Sequence, residues 1–257
     1  MGKKAIWSHC TDPSLPPITL KPTKWYSSEC EVSVIMHCRG RPEVFRAALQ
    51  SLFSTCLDHS VVEILVKLDT DDDTVPEYLK VLKSFPFQHK LLIYDRLDAW
   101  WSVHIFETDL SRIANGNTMW LFCEDNVILS GDWLNAFRQC RNVCSDNIYV
   151  CAVPGRKDNP GKIVAPAYSR EWFNVMQIVS PHVSSDRFLT RVSGAINRLF
   201  SNPAMVVIEF VHKSERIPRP ALNITTEQLT KILDSEVLRC IPLFSSAVAA
   251  ATVATVT

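Results

Sequence analysis

Apolar and polar positions along this chain switch repeatedly between a strand-like and a helical period. Val32–Met36 is a short apolar run, the pattern of a strand covered on both faces. Pro42 then opens a stretch in which Val44, Phe45, Ala48, Leu49, Leu52 and Phe53 share one helical stripe, and proline is favoured at a first helical position. Val61–Leu68 is a second apolar run, followed by an acidic turn, Asp69–Asp73, and a helix from Pro76 to Lys83. Leu91–Tyr94 reads as a third strand, and Val103, Phe106, Leu110 and Ile113 recur at helical spacing until Asn115-Gly116 closes that helix. Met119–Cys123 follows as a fourth strand. Gly131 and Asp132 introduce a helix carrying Leu134, Phe137 and Val143, and Ile148–Val153 is a fifth strand. This alternation predicts an α/β fold with one mostly parallel sheet and helices on both faces.

The flanks are less periodic. Residues 1–30 hold Pro13, Pro16, Pro17 and Pro22 and read as an irregular arm. After Pro154 comes a basic Gly/Pro loop, GRKDNPGK, and then an aromatic stretch around Trp172 and Phe173, read together as a lid or acceptor loop. Asp186 is expected to cap a helix through Leu199, Ala204–Val211 to form a strand, and Thr225 to open a last helix ending near Ser235. The expected division is an arm (1–30), a main domain (31–215, with halves 31–153 and 154–215) and a C-terminal helix and tail (216–257).

Composition narrows the class of partner. The 257 residues are 47% hydrophobic and 21% charged, with 27 basic and 27 acidic side chains, values of an ordinary globular chain. With no net charge there is no long-range field to draw in a polyanion, so nucleic acid is not expected as a partner. Nine cysteines, scattered and odd in number, fit a reducing compartment. Cys140, Cys144 and Cys151 lack the close pair and fourth ligand of a zinc site. The opening MGKKAIWSHC has no apolar core of a signal peptide, and no run reaches the roughly 20 apolar residues that span a bilayer. The expected location is the cytoplasm or the cytosolic face of a membrane.

In parallel sheets ligands bind beyond the C-terminal strand ends, where loop amides and helix N-termini converge. Three polar clusters follow strands here: His37–Arg41, Asp69–Asp73 and Glu124-Asp125-Asn126. Arg39 and Arg41 flank Gly40 and offer planar guanidinium groups suited to phosphate oxygens, though an exposed turn carries such residues equally well. Asp72 and Asp73 stand where the next helix needs a cap. Trp100 and Trp101 serve either as a sugar-stacking platform or as anchors of a helix, and Trp133 as the apolar start of its own.

The stretches EVSVIMHCRGRPEVFRAALQSL, EILVKLDTDDDT and MWLFCEDNVILSGDWLNAF, in that order and spacing, resemble the family 2-like glycosyltransferases with the A-type, Rossmann-like nucleotide-diphospho-sugar transferase fold. The resemblance covers roughly residues 31–145. It implies a donor half (31–153), an acceptor half (154–215) and transfer of a sugar from a nucleotide-diphosphate sugar, with a UDP-sugar favoured, to an unknown glycan, lipid or protein. It assigns Asp69, with Asp71 as substitute, to the base of the donor, and His37, Arg39, Arg41 and Glu124 to the rest of the donor nucleotide. Asp125 and Asn126, with His212 as a late ligand, would hold Mn²⁺ or Mg²⁺ at the diphosphate. Asn126 is a departure, because a neutral amide oxygen stands where an anionic ligand is usual, and this weakens the metal site. Asp186 is the implied general base of an inverting transfer, although an aspartate there is also a good helix cap. The rival readings are a catalytically inactive nucleotide-binding or interaction protein on the same sheet, and a nucleotidyltransferase.

Overall fold

The computed structural model describes residues 30–94, 103–153, 165–180, 185–201, 206–209 and 226–256. The first half follows the expected order with one added strand, β5: β1 (Val32–His37), α1 (Pro42–Ser54), β2 (Val62–Asp69), α2 (Val75–Lys83), β3 (Gln88–Tyr94), α3 (Val103–Ile113), β4 (Thr118–Leu121), β5 (Asn126–Ser130), α4 (Trp133–Val143) and β6 (Val150–Ala152). It continues through β7 (Ala167–Ser169), α5 (Arg170–Met176), α6 (Ser185–Ala195), β8 (Leu199–Ser201), β9 (Val206–Glu209) and α7 (Thr226–Val256).

Seven strands form one sheet in the order β3-β2-β1-β4-β7-β6-β8, and β5 pairs with β9 in a separate ribbon. Strands β1, β2, β3 and β4 are mutually parallel, with Val32 opposite both Val62 and Thr118. Strand β7 runs antiparallel to β4 and to β6, and β8 is again parallel to β6. The sheet is thus mostly parallel, as the buried apolar runs require.

Alternation along the strands feeds two cores. Val34, Met36, Ile64, Val66 and Leu68 pack with Phe45, Leu49 and Leu52 of α1, Tyr78 and Leu82 of α2, and Trp133 and Phe137 of α4. On the other face Ile35, Leu65, Met119 and Leu121 meet Leu110 of α3, Trp172 and Met176 of α5, Phe188 and Val192 of α6, and Leu233, Cys240 and Phe244 of α7. Trp133 is the first residue of α4, behind an Asp132 side chain that caps the helix by accepting from the Asn135 amide at 3.2 Å. Its ring lies 5.2 Å from that of Trp120, and both buried indole N–H groups are satisfied, at Leu52 O (3.2 Å) and Ala165 O (2.9 Å).

Four expectations change. The aromatic stretch around Trp172 and Phe173 is not a loop: it is β7 and α5, and both aromatic side chains are buried. Leu199 does not end a helix; α6 stops at Ala195, and Leu199 starts β8. The last helix runs far past Ser235, to Val256, with Pro242 inside it. Asp72 does not cap α2, whose N-cap is Thr74 without a side-chain cap bond. The arm up to residue 29, Trp100, Trp101, the GRKDNPGK loop and His212 lie outside the described residues. Among the described residues no helix is long and apolar enough to cross a membrane.

Candidate functional site

The polar clusters that follow β1, β2 and β4 meet at the C-terminal edge of the sheet. Gly40, at φ 67°, lets the chain reverse between β1 and α1 in the left-handed conformation that glycine tolerates. The reversal sends Arg39 and Arg41 to different acidic partners. Arg39 Nη1 donates to Asp69 Oδ2 at 2.8 Å and to Asp71 Oδ1 at 2.6 Å, and its Nη2 donates to Asp71 Oδ2 at 3.1 Å. Its backbone amide donates to Glu124 Oε2 at 3.3 Å, so a single residue joins the β2 turn to the β4 turn.

Arg41 grips Glu124 from the side, with Nε and Nη2 donating to Oε1 at 2.9 and 2.5 Å. Tyr78 of α2 donates its hydroxyl to Glu124 Oε2 at 2.7 Å and accepts the Arg41 amide at 2.9 Å. Both carboxylate oxygens of Glu124 therefore accept from two donors each. Burial pushes this carboxyl above the ordinary carboxylate range, against the opposing pull of Arg41 and Tyr78. Burial likewise keeps the Tyr78 hydroxyl protonated by raising it well beyond an ordinary phenol.

The β2 turn is fastened in the same manner. Asp72 Oδ2 accepts from the Gly40 amide at 2.9 Å, and Oδ1 accepts from the Thr74 amide and hydroxyl at 2.9 and 2.6 Å. Burial alone would raise the Asp72 carboxyl, but these donors outweigh it and hold the group below its ordinary value. Asp69 is buried, and its Oδ1 accepts from Lys67 Nζ, which also lies 4.0 Å above the Phe106 ring. Asp71 is the open member, with 54% of its side chain exposed. His37 ends β1 opposite Lys67 and is half-buried.

The β4 turn continues straight into β5, so Asn126 is a strand residue, opposite Glu209 of β9. The residue is 1% exposed, and neither Nδ2 nor Oδ1 has a hydrogen-bond partner. Arg41 Nη1 is likewise buried without one, although it lies 3.9 Å from Asp125 Oδ2. Asp186 is half-buried in the first turn of α6. That helix turns through residues 196–198 directly into β8, which runs parallel to β6 and is the outermost strand on the side of the sheet away from β2.

The described residues of this edge, among which His212 is not included, do not fit the divalent ion that the sequence resemblance implies. Glu124 is fully engaged by protein donors, Asn126 is neutral, and an ion on Asp125 would lie close to the Arg41 guanidinium. At about 4 Å and an effective dielectric near 20, such a contact costs on the order of several kcal/mol. Among the described residues no three His, Cys, Asp or Glu side chains are grouped to hold a metal. Three further residues build the edge. In the sequence Asp72 reads as a helix cap and Tyr78 is one position of the helix from Pro76 to Lys83, whereas Lys67 does carry a signal, being a lysine inside the otherwise apolar stretch ILVKL.

No protein-family model and no curated protein sequence matches this chain. Solved structures do. The mannosyltransferase PcManGT from Pyrobaculum calidifontis, in complex with GDP-Man and Mn²⁺, superposes with a TM-score of 0.62 at 14% identity, over 93% of this chain and 79% of that one. TarS 1-349 of S. aureus superposes with a TM-score of 0.57 at 12% identity in complex with UDP-GlcNAc, over 81% of this chain and 66% of that one. Its complex with UDP gives a TM-score of 0.54 at 13% identity, over 82% and 64%. The chain thus spans just under two thirds of TarS 1-349. The architecture is the A-type glycosyltransferase fold.

Proposed function

We propose that this chain is a glycosyltransferase that takes a sugar from a nucleoside-diphosphate sugar. The observation that carries the reading is the joining of the β2 and β4 turns through Arg39 at the edge where this fold binds ligands. In this reading Asp71, the exposed carboxylate, and Asp69 behind it read the donor base, for which a UDP-sugar suits best because a carboxylate accepts from an imide N–H. Arg39 and Arg41 face the diphosphate, with His37 and Glu124 supporting them. The acceptor is a hydroxyl of a glycan, lipid or protein. Its oxygen attacks the anomeric carbon, the bond from that carbon to the diphosphate oxygen breaks, and the nucleoside diphosphate leaves with the electron pair. Attack from the face opposite the departing diphosphate inverts the anomeric centre, and Asp186 takes the hydroxyl proton as that bond forms. Asp125, Asn126 and His212 are the expected metal ligands, and PcManGT is a Mn²⁺ complex, but here the two guanidinium groups supply the positive charge that faces the departing diphosphate.

The test is a panel of UDP- and GDP-sugars with Mn²⁺ present, read by thermal shift and by release of nucleoside diphosphate. A donor at a hundredfold its Kd should raise the midpoint by about 5 °C or more, and Asp69→Ala should shrink that shift. Asp186→Asn should keep the shift and lower turnover by about 10²–10⁴-fold. A panel with no shift and no release overturns the reading.

A specific observation favours a second reading, a nucleotide-binding protein without turnover. Asp69 and Glu124 both have their carboxylate oxygens held by protein cations and hydroxyls. Binding without release of nucleoside diphosphate would select it, and release of pyrophosphate would instead select nucleotidyl transfer.

A further inference from the structure

The buried polar atoms left without hydrogen-bond partners at this edge indicate what kind of ligand completes it. Among the described residues there are three of them on the β1 and β4 turns: Arg41 Nη1, Asn126 Nδ2 and Asn126 Oδ1. Two are donors. A divalent cation satisfies acceptors only, so it would leave both N–H groups buried without a hydrogen bond, a costly arrangement. An oxygen-rich anion satisfies both. Interchanging the amide atoms of Asn126 does not alter this count.

The remaining chemistry of the turn agrees. Glu124, at the first position of the Glu-Asp-Asn turn, is not offered to a ligand: Arg41, Tyr78 and the Arg39 amide fill its two oxygens. It acts as an anchor that fixes the Arg41 guanidinium by two of its nitrogens and leaves the third, Nη1, as a donor. Arg41 is also the N-cap of α1, so the positive end of that helix adds to its charge. Asn126, buried and neutral, offers a donor and an acceptor side by side, which matches a hydroxyl rather than a cation.

Building on the nucleotide-sugar reading, we propose that this chain holds the diphosphate of its ligand with the Arg41 guanidinium in the role usually given to a divalent cation, and a hydroxyl of the same ligand with Asn126. Nucleoside diphosphate binding is therefore independent of divalent metal.

Isothermal titration of the full chain with UDP, and separately with GDP, in EDTA and in Mn²⁺ tests this, together with titration of Mn²⁺ alone followed by electron paramagnetic resonance. The expected result is a Kd for one of the nucleotides that agrees within about twofold between the two buffers, with no stoichiometric Mn²⁺ bound to the protein alone. Removing Arg41 by itself strands a buried carboxylate, so the decisive variant is the pair Arg41→Ala with Glu124→Gln, checked for folding by circular dichroism. It should weaken nucleotide binding in EDTA by about tenfold or more, and Mn²⁺ should not restore it. Asn126→Asp, which turns the neutral position into an anionic one, should introduce a Mn²⁺ response that the parent chain lacks. Nucleotide binding seen only with Mn²⁺, or undiminished in the paired variant, overturns the inference and leaves the transferase reading standing. Absence of UDP and GDP binding in both buffers overturns both.

Discussion

Asp72 shows how much of this edge is scaffolding. In the sequence it has the look of a helix cap, yet its carboxylate ties the β1 turn to the β2 turn by accepting from Gly40 and from Thr74. Because those donors hold its carboxyl below the ordinary value, the sign of its pH dependence is fixed. Its contribution is present in full above the unfolded carboxylate value of about 3.9 and is lost as pH falls through the lower folded value. Asp72→Asn should cost about 1–3 kcal/mol at pH 7, and urea titrations should show the gap between parent and variant closing as the pH drops below about 4. A gap that persists unchanged in acid would mean that the ionised carboxylate is not what matters. At this scale the candidate clusters are legible in the sequence, because polar residues interrupting apolar runs stand out. Their partners are not. Tyr78 and Arg41 reach Glu124 across 46 and 83 residues, and no local pattern encodes such a meeting.

Among the elements, β4 is positioned from its start as well as from its end. The Gly116 amide donates to Ser33 Oγ at 2.8 Å, the Asn115 amide to Glu63 Oε1 at 2.5 Å, and Arg170 of α5 reaches the Ala114 and Gly116 carbonyls at 2.5 and 3.1 Å. A Cβ on Gly116 would sit 2.5 Å from the Ser33 amide nitrogen and 2.9 Å from the Thr118 carbonyl oxygen, both backbone atoms. Gly116→Ala should therefore destabilise the chain by about 1–3 kcal/mol, measured by chemical denaturation; an unchanged midpoint would show that β4 can shift at no cost. Elements with long apolar runs or clear helical stripes are legible in the sequence, β1 through β4 and helix α4 among them. Strand β7 is not, since three residues are too few to display a period. Strand β5 is hidden by beginning on a residue, Asn126, that reads as part of the turn. The length of α7 escapes the sequence pattern because its last turns are rich in Ala, Thr and Val, a composition with mixed helical preference.

Across the whole molecule the two faces of the sheet are covered by different parts of the chain. Helices α1, α2 and α4 close one face, while α3, α5, α6 and α7 close the other. The last of these docks through Phe244, whose ring lies 4.0 Å from that of Trp172. Phe244→Ala should cost about 3–5 kcal/mol, and hydrogen exchange should show α7 losing protection before the sheet does; uniform loss across the chain would mean that α7 is integral to the central fold. The overall architecture is legible because a doubly covered parallel sheet imposes buried runs on its strands. The direction of β7 is not, because it is set by pairing with β4 and β6 rather than by any pattern of its own. That reversed strand governs the order in which the molecule can be completed. It lies between β4 and β6 yet is made after both, so during synthesis the outer flank of β4 stays uncapped, with four buried-type residues and bare amides, until Ala167–Ser169 arrives. A chain cut after residue 153 would lack Ala167–Ser169 and leave that flank of β4 open.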